Sequence, residues 1–298
     1  MKLVGKLAQQ LKHYAAIIVT RLITRLNDFQ CTSPESTIPA YITLDGIQSF
    51  MRSIGVRDGS TVFIHSSWDN LNNGNFRAAE LIKMLHGLVG VQGTLAMPAI
   101  PNLPQVSGAV FDVGRTSSAA GLLTEIFRRY PGVSRSINLN HSVCAIGAHA
   151  EFLTCDHHRS ETSWDTFSPY YRLREIEEAW IIGLGVGHQL KIATSLHCVE
   201  SALWKENAYF RKLFRNDVCY SYKTLTNEIG QHCFKRRSGQ IYTPKLAKFF
   251  TTDELIEDTI DGLDVYAIRA QTLIDKAIDL GRKGKTMYFW PIPWRWYF

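Results

Sequence analysis

The sequence predicts an α/β fold with a central, mostly parallel sheet flanked by helices, and three observations carry that prediction. First, apolar runs of strand length recur at 61–64, 93–98, 142–147 and 179–182, with few polar interruptions. Compact runs of that kind suit strands covered on both faces. Second, segments with helical spacing of apolar residues alternate with those runs, as in βαβ units. Third, 298 residues of which 45% are apolar can bury one large core or two small ones.

Taken in order, residues 1–30 read as a basic amphipathic helix. Leu3, Leu7, Leu11, Tyr14, Ile18, Leu22 and Leu26 recur at three- and four-residue steps, and Lys2, Lys6, Lys12, Arg21 and Arg25 supply the charge. The stretch is too short and too polar to span a bilayer, so it suits a membrane surface, a dimer mate or its own domain. A polar linker with Ser33, Pro34 and Pro39 leads to the main domain, expected over 40–285.

Within that domain, residues 44–53 read as a short helix and 61–64 as a strand ending at His65-Ser66-Ser67. Residues 77–89 form an amphipathic helix, and 93–98 a turn plus strand. Thr116-Ser117-Ser118 precedes a helix over 121–129, whose end is marked by Pro131-Gly132. A strand over 142–147 and a short helix near 148–154 follow. The run 179–182 is a further strand, and Gly183, Gly185 and Gly187 after it permit a sharp turn and a close approach to a ligand. Thr194-Ser195 then supplies a candidate helix cap ahead of His197-Cys198-Val199-Glu200. An antiparallel insertion is expected at about 215–245, with the basic triplet Lys235-Arg236-Arg237 in a solvated turn. Helix is expected over 253–280, burying Leu255, Ile256, Leu263, Ile268, Leu273 and Ile278. The tail 286–298 is rich in aromatic residues and suits an apolar surface, a dimer contact or a lipid interface.

Composition narrows the function. The 33 Lys+Arg against 27 Asp+Glu favour anionic partners and weigh against a polycationic one. No zinc-finger spacing or RNA-binding aromatic signature is present, which sets nucleic acid aside. Six cysteines without a C-x-x-C pair or an evident disulfide framework suggest reduced thiols in a cytoplasm.

His197 and Glu200 are the sharpest candidates for chemistry, because three positions on a helix share a face. A neutral imidazole can take a proton from an amine or hydroxyl, and a carboxylate can hold its tautomer and favour the imidazolium. The same pair also fits a buried, ion-paired histidine. His65-Ser66-Ser67, at the carboxyl end of a strand, and Thr116-Ser117-Ser118, ahead of a helix, read either as caps or as places to hold phosphate or a carbonyl. His157-His158 reads as exposed loop. There is no H-E-x-x-H, no Walker A and no G-x-S-x-G, and helical neighbours Cys198 and His197 point apart, so a zincin, a phosphate loop, a serine hydrolase and a Cys-His nucleophile are all unsupported.

The ordered set of segments resembles the aminoglycoside 3-N-acetyltransferase family. The match lies in His65-Ser66-Ser67; Gly93-Thr94-Leu95 leading to Met97-Pro98; Phe111-Asp112 and Thr116-x-Ser118-x-x-Gly121; Glu125-x-Phe127-Arg128-Arg129 with Pro131-Gly132; Arg135-Ser136; His141-Ser142-Val143; Ser168-Pro169-Tyr170; Leu184-Gly185-Val186-Gly187; and His197-x-x-Glu200. It covers roughly 45–204, and the set is more specific than any one motif. The chain departs from the family pattern at Trp68-Asp69-Asn70 and at Ser117.

The resemblance implies an α/β acyltransferase distinct from the GNAT fold, moving acetyl from acetyl-CoA, or another acyl from its CoA ester, to an amino-sugar amine, with no metal. It implies His197 as general base and Glu200 as its orienting partner. His65, Ser66, Ser67, Thr116 and Ser118 would be candidates for CoA or thioester contacts, and His141 and Ser142 for the substrate cleft. The basic balance and the two termini suit an alternative acceptor, an amino sugar carried on a nucleotide or lipid in envelope polysaccharide synthesis. In that setting the enzyme is cytoplasmic, with peripheral contact at the inner membrane surface or a homodimer made through the termini. A non-catalytic binding protein of the same fold would be expected to lose the His/Glu pair or the HSS cluster, and both are present.

Overall fold

The computed structural model describes residues 41–293. The predicted N-terminal amphipathic helix and tail residues 294–298 lie outside the described residues. The strands are β1 (Thr61–Ser66), β2 (Thr94–Pro98), β3 (Val110–Asp112), β4 (Ser134–Arg135), β5 (Val143–Gly147) and β6 (Ala179–Leu184). They continue with β7 (Phe214–Lys223), β8 (Ile229–Arg237), β9 (Gln240–Ile241), β10 (Leu255–Ile260), β11 (Leu263–Arg269) and β12 (Tyr288–Trp290).

Seven of these form one sheet in the order β10-β11-β6-β1-β2-β5-β4. The expected α/β architecture is present, with parallel pairing at its centre. There β1 runs parallel to both β2 and β6. The outer pairs β2–β5, β5–β4, β6–β11 and β11–β10 are antiparallel. The three central strands are buried almost throughout, which is why they read as continuous apolar runs.

Side chains alternate across β1: Val62 and Ile64 enter one core, Phe63 the other. The Val62 face is covered by α1 (Leu44–Ser53), α2 (Ala78–Val89) and α3 (Leu122–Arg128) through Ile47, Met51, Leu81, Leu85 and Phe127. The opposite face is covered by α4 (Cys198–Leu203) and α5 (Ala270–Arg282) through Val199, Leu203, Leu273, Ile274 and Ala277. Each of the larger apolar side chains among these contributes roughly 1.5–3 kcal/mol when fully buried. His65, two residues after Phe63, falls on the α4–α5 side, so β1 delivers it toward the helix that carries Glu200.

Three expectations are corrected. Residues 253–269 are not helix but the β10–β11 hairpin, and helix begins only at Ala270. Asp261 and Gly262, with φ of 49° and 84°, make the tight turn between the strands. A two-residue Asp-Gly loop is a strong hairpin signal, and here it outweighs an apolar spacing that fits both periods. Next, Cys219 and Cys233 are joined by a disulfide, because β7 and β8 pair them directly opposite each other. Finally, the close approach at Gly183 is to protein: a Cβ there would meet the Tyr266 ring at 2.2 Å.

The hairpin β7–β8 joins β3 in a second sheet with its own small core of Phe111, Val218, Tyr220 and Phe234. Strand β12 pairs with β9 and brings Tyr288 inward.

Candidate active site

The segment after β6 is bent by Gly185 and Gly187, and then by Gln189, Leu190 and Ile192, all at positive φ. Positive φ is costly for leucine and for a β-branched isoleucine, so backbone strain collects in the loop that delivers His197. The chain then makes a single 3₁₀ turn, Thr194–His197, and passes into α4. Neither Thr194 nor Ser195 caps it: the Thr194 hydroxyl donates to the Ile192 carbonyl, and the turn has no side-chain cap.

The turn and α4 hold His197 and Glu200 in one buried pair. His197 Nδ1 lies 2.6 Å from Glu200 Oε1. An ionised carboxylate only accepts, so Nδ1 carries the hydrogen and Nε2 keeps its lone pair for a reactant. Glu200 is fully buried, and its Oε1 also accepts from the Tyr288 hydroxyl at 2.5 Å. Burial, with the Glu200 charge beside it, pushes the Tyr288 phenol well up, so it remains a donor. Tyr288 in turn accepts from an Arg237 guanidinium N–H at 3.1 Å. Arg237 Nε stands 3.8 Å from Glu200 Oε1, close enough for charge attraction but too far for a hydrogen bond. Burial and the Arg237 charge lower the His197 pKa from its ordinary 6.5, against an opposing pull from Glu200. The imidazole is therefore neutral near pH 7, as a base requires.

A wall of rings links this pair to the other predicted histidines. Trp164 packs against His197 on one side and His141 on the other, each with ring centroids 4.8 Å apart. Tyr170 lies beside His141 and beside Phe63, and Phe63 beside His65. Burial holds His141 and His65 down at about 3, so both are neutral. His141 Nδ1 sits 2.5 Å from the Asn140 carbonyl, which fixes its donor. Neither ring nitrogen of buried His65 has a hydrogen-bond partner among the described residues. His65, His141 and His197 are thus brought together.

The predicted hydroxyl groups divide. Ser66 and Ser67 end β1 half-buried, and the Ser67 amide donates to the Leu184 carbonyl beside them. Thr116, Ser118 and Ser142 have their hydroxyls engaged elsewhere. Thr116 accepts from the Asp112 amide, Ser118 accepts from the Ala120 amide, and Ser142 donates to the Ala99 carbonyl while accepting from Arg135 Nε. Ser142 is fully buried, so its hydroxyl organises the loop from within. Arg135 completes that job by donating to the carbonyls of Thr116, Val113 and Ala99.

Sequence reasoning missed two residues of this site. Arg237 was expected in a solvated turn; it is largely buried against Glu200, Tyr288 and Trp164. Tyr288 comes from the aromatic tail. His157, expected to be exposed, is fully buried between Ser136 and Ser163. Burial and the Glu200 charge push the Cys198 thiol well up, which removes it as a nucleophile. Among the described residues no three His, Cys, Asp or Glu side chains converge as a metal site requires.

A family model described as aminoglycoside 3-N-acetyltransferase matches residues 63–280. The SPbeta prophage-derived aminoglycoside N(3')-acetyltransferase-like protein YokD of Bacillus subtilis is 28% identical over 179 residues, 53% of this chain and 64% of that protein. The chain thus spans somewhat under two thirds of that relative's length. Among solved structures, the apoenzyme of aminoglycoside acetyltransferase AAC(3)-IVa superposes with a TM-score of 0.65 at 21% identity, covering 83% of this chain and 91% of that one. AAC-IIIb in binary complex with CoASH gives 0.66 at 18% identity, covering 82% and 97%. AAC-VIa bound to sisomicin gives 0.65 at 20% identity, covering 82% and 98%. At these identities the superpositions establish the shared fold.

Proposed function

The chain belongs to the aminoglycoside 3-N-acetyltransferase family, and from that premise we propose that it is an N-acyltransferase that moves acetyl from acetyl-CoA directly to an amino-sugar amine. The observation that carries this reading is the buried His197–Glu200 contact at 2.6 Å, which fixes Nδ1 as donor and leaves Nε2 as base. The amine attacks the thioester carbonyl as His197 Nε2 takes its proton. The C–N bond forms, the carbonyl becomes an oxyanion, and its collapse breaks the C–S bond. The leaving CoA thiolate recovers the proton from the imidazolium. Glu200 balances the imidazolium charge while it lasts, and the Tyr288 donor keeps that carboxylate in place.

His65, Ser66 and Ser67, at the carboxyl end of a central parallel strand, are the groups proposed to meet CoA and the thioester carbonyl. A sisomicin complex and a CoASH complex among the structural relatives support an amino-sugar acceptor and CoA as the two substrates. Thr116, Ser118 and Ser142 are proposed to act through the loop they build. A second reading keeps the reaction and places the amine on a nucleotide- or lipid-linked sugar at the cytoplasmic membrane face; the formal net charge of +6 favours it.

The test is CoA thiol release from acetyl-CoA with an amino-sugar panel, for wild type, His197→Ala and Glu200→Gln. Acceptor-dependent release falling about 10²–10⁴-fold in His197→Ala is expected. Release that needs no acceptor would point to hydrolysis instead, and full activity of His197→Ala would remove the base.

A further inference from the structure

The feature of this site that base catalysis does not use is Arg237. Its guanidinium lies beside the base: His197 Nδ1 stands 2.6 Å and Arg237 Nε 3.8 Å from the same Glu200 oxygen. Trp164 borders both, with its ring 4.8 Å from that of His197 and 5.9 Å from the Arg237 guanidinium carbon. A guanidinium offers five N–H donors. Here the side chain makes one hydrogen bond, to the Tyr288 hydroxyl, and its Nε is buried with no hydrogen-bond acceptor among the described residues. The side chain is 20% exposed, so donors that the protein leaves unused are open to an anion entering the site.

Glu200 balances the Arg237 charge but does not use its hydrogen-bonding capacity. Glu200 Oε1 is already hydrogen-bonded by His197 and Tyr288, and Arg237 does not hydrogen-bond to it. A hollow of about 710 Å³ begins at Ser201, one residue beyond Glu200. The carboxylates of this adjoining hollow outnumber its cations five to three, but each is engaged by another group. Those of Glu161, Asp275, Asp279 and Glu206 are ion-paired with Lys205, Arg174 and Arg282. Asp165 accepts from the backbone amides of Glu161, Thr162 and Phe167.

Resting on the acyl-transfer reading, we propose that Arg237 is the acceptor-selecting residue of this site: it clamps an oxyanion, phosphate or carboxylate, borne by the amino sugar near its reacting amine, and it disfavours polycationic aminoglycosides. Guanidinium donors pair in a fork with the oxygens of either anion. The positive charge serves the reaction as well, since it makes an ammonium beside it easier to deprotonate.

The experiment compares wild type, Arg237→Gln and Arg237→Lys with glucosamine, glucosamine 1-phosphate, UDP-glucosamine, 2-amino-2-deoxyglucuronic acid and sisomicin. Two readouts are taken: kcat/KM from thiol release, and calorimetric binding of each acceptor to the CoA-loaded protein. Wild type is expected to prefer at least one anionic acceptor over both glucosamine and sisomicin by about 10-fold or more, the size of one charge-assisted hydrogen bond. Arg237→Gln is expected to erase that ratio and Arg237→Lys to keep part of it. The phosphate and carboxylate arms tell which anion is carried. Sisomicin used or bound as well as the anionic acceptors by wild type overturns the proposal, as does an anion-to-neutral ratio unchanged in Arg237→Gln. Should Arg237→Gln fail to fold, the wild-type preference and the Arg237→Lys ratio decide. Anion-dependent binding that disappears in Arg237→Gln, with no thiol release from any acceptor, would keep the clamp and overturn the acyl-transfer reading instead.

Discussion

Two arginines of this chain, Arg135 buried and Arg237 largely so, stand in opposite hydrogen-bonding states. Arg135 donates to the Ser142 hydroxyl and to the carbonyls of Val113, Thr116 and Ala99, so each of its three nitrogens is occupied. Arg237 makes one hydrogen bond and leaves a buried Nε without an acceptor. The first arginine ties three loop segments together and spends four of its five N–H donors on them. The second is held by Tyr288, by the Glu200 charge and by ring faces, with donors in reserve. Burial alone does not say whether a charged side chain serves folding or function; counting its satisfied donors does.

The contrast predicts different costs. Arg135→Ala takes the donor from the Val113 and Thr116 carbonyls and a second donor from the Ser142–Ala99 pair, and a loss of about 3–5 kcal/mol in denaturant unfolding is expected. Arg237→Gln should lose no more than about 1–2 kcal/mol, because fewer partners are left behind. Equal losses would break the comparison.

A smaller effect sharpens it. Tyr288→Phe removes the hydroxyl that donates to Glu200 and accepts from Arg237. It should lower kcat/KM about 10-fold, the scale of one hydrogen bond to a charged group, with the fold retained by circular dichroism. Because both substitutions act through the same hydroxyl, Tyr288→Phe combined with Arg237→Gln should cost less than the product of the single effects.

The smallest effect is in pH dependence. The proposed reaction needs neutral His197, so kcat/KM should fall as pH drops through that pKa, which lies below 6.5. The acid limb is therefore expected below pH 6.5. Arg237 is one of the causes that lower the value, so Arg237→Gln should move the limb to higher pH. A limb that moves downward would contradict the placement of the guanidinium.

Much of the frame and the centre of the site could be read from sequence, for identifiable reasons. The parallel strands around β1 are buried on both faces and stand out as apolar runs, and His197 and Glu200 are close in sequence because one turn of chain holds them. The β10–β11 hairpin was obscured because Leu255, Ile256, Leu263 and Ile268 satisfy helical as well as strand spacing. Arg237 was hidden by register. Counting in twos from His232 and Phe234 puts Arg236 on the inner face, but Arg236 is exposed and Arg237 lies inward; the β7–β8 pairing shifts between Phe214 and Asp217. Tyr288 is 88 residues from the carboxylate it touches, a separation at which no local pattern speaks.

That separation also sets an order of events during synthesis. The loop, turn and helix bearing His197 and Glu200 leave the ribosome well before residue 288 does. Until then the carboxylate lacks its phenol donor, and Arg237 lacks the hydroxyl that anchors it. The nascent chain can lay down its central sheet and pair the imidazole with the glutamate, yet it completes the relay only when β12 docks against β9. The buried pair is thus completed by a strand made long after the helix it serves.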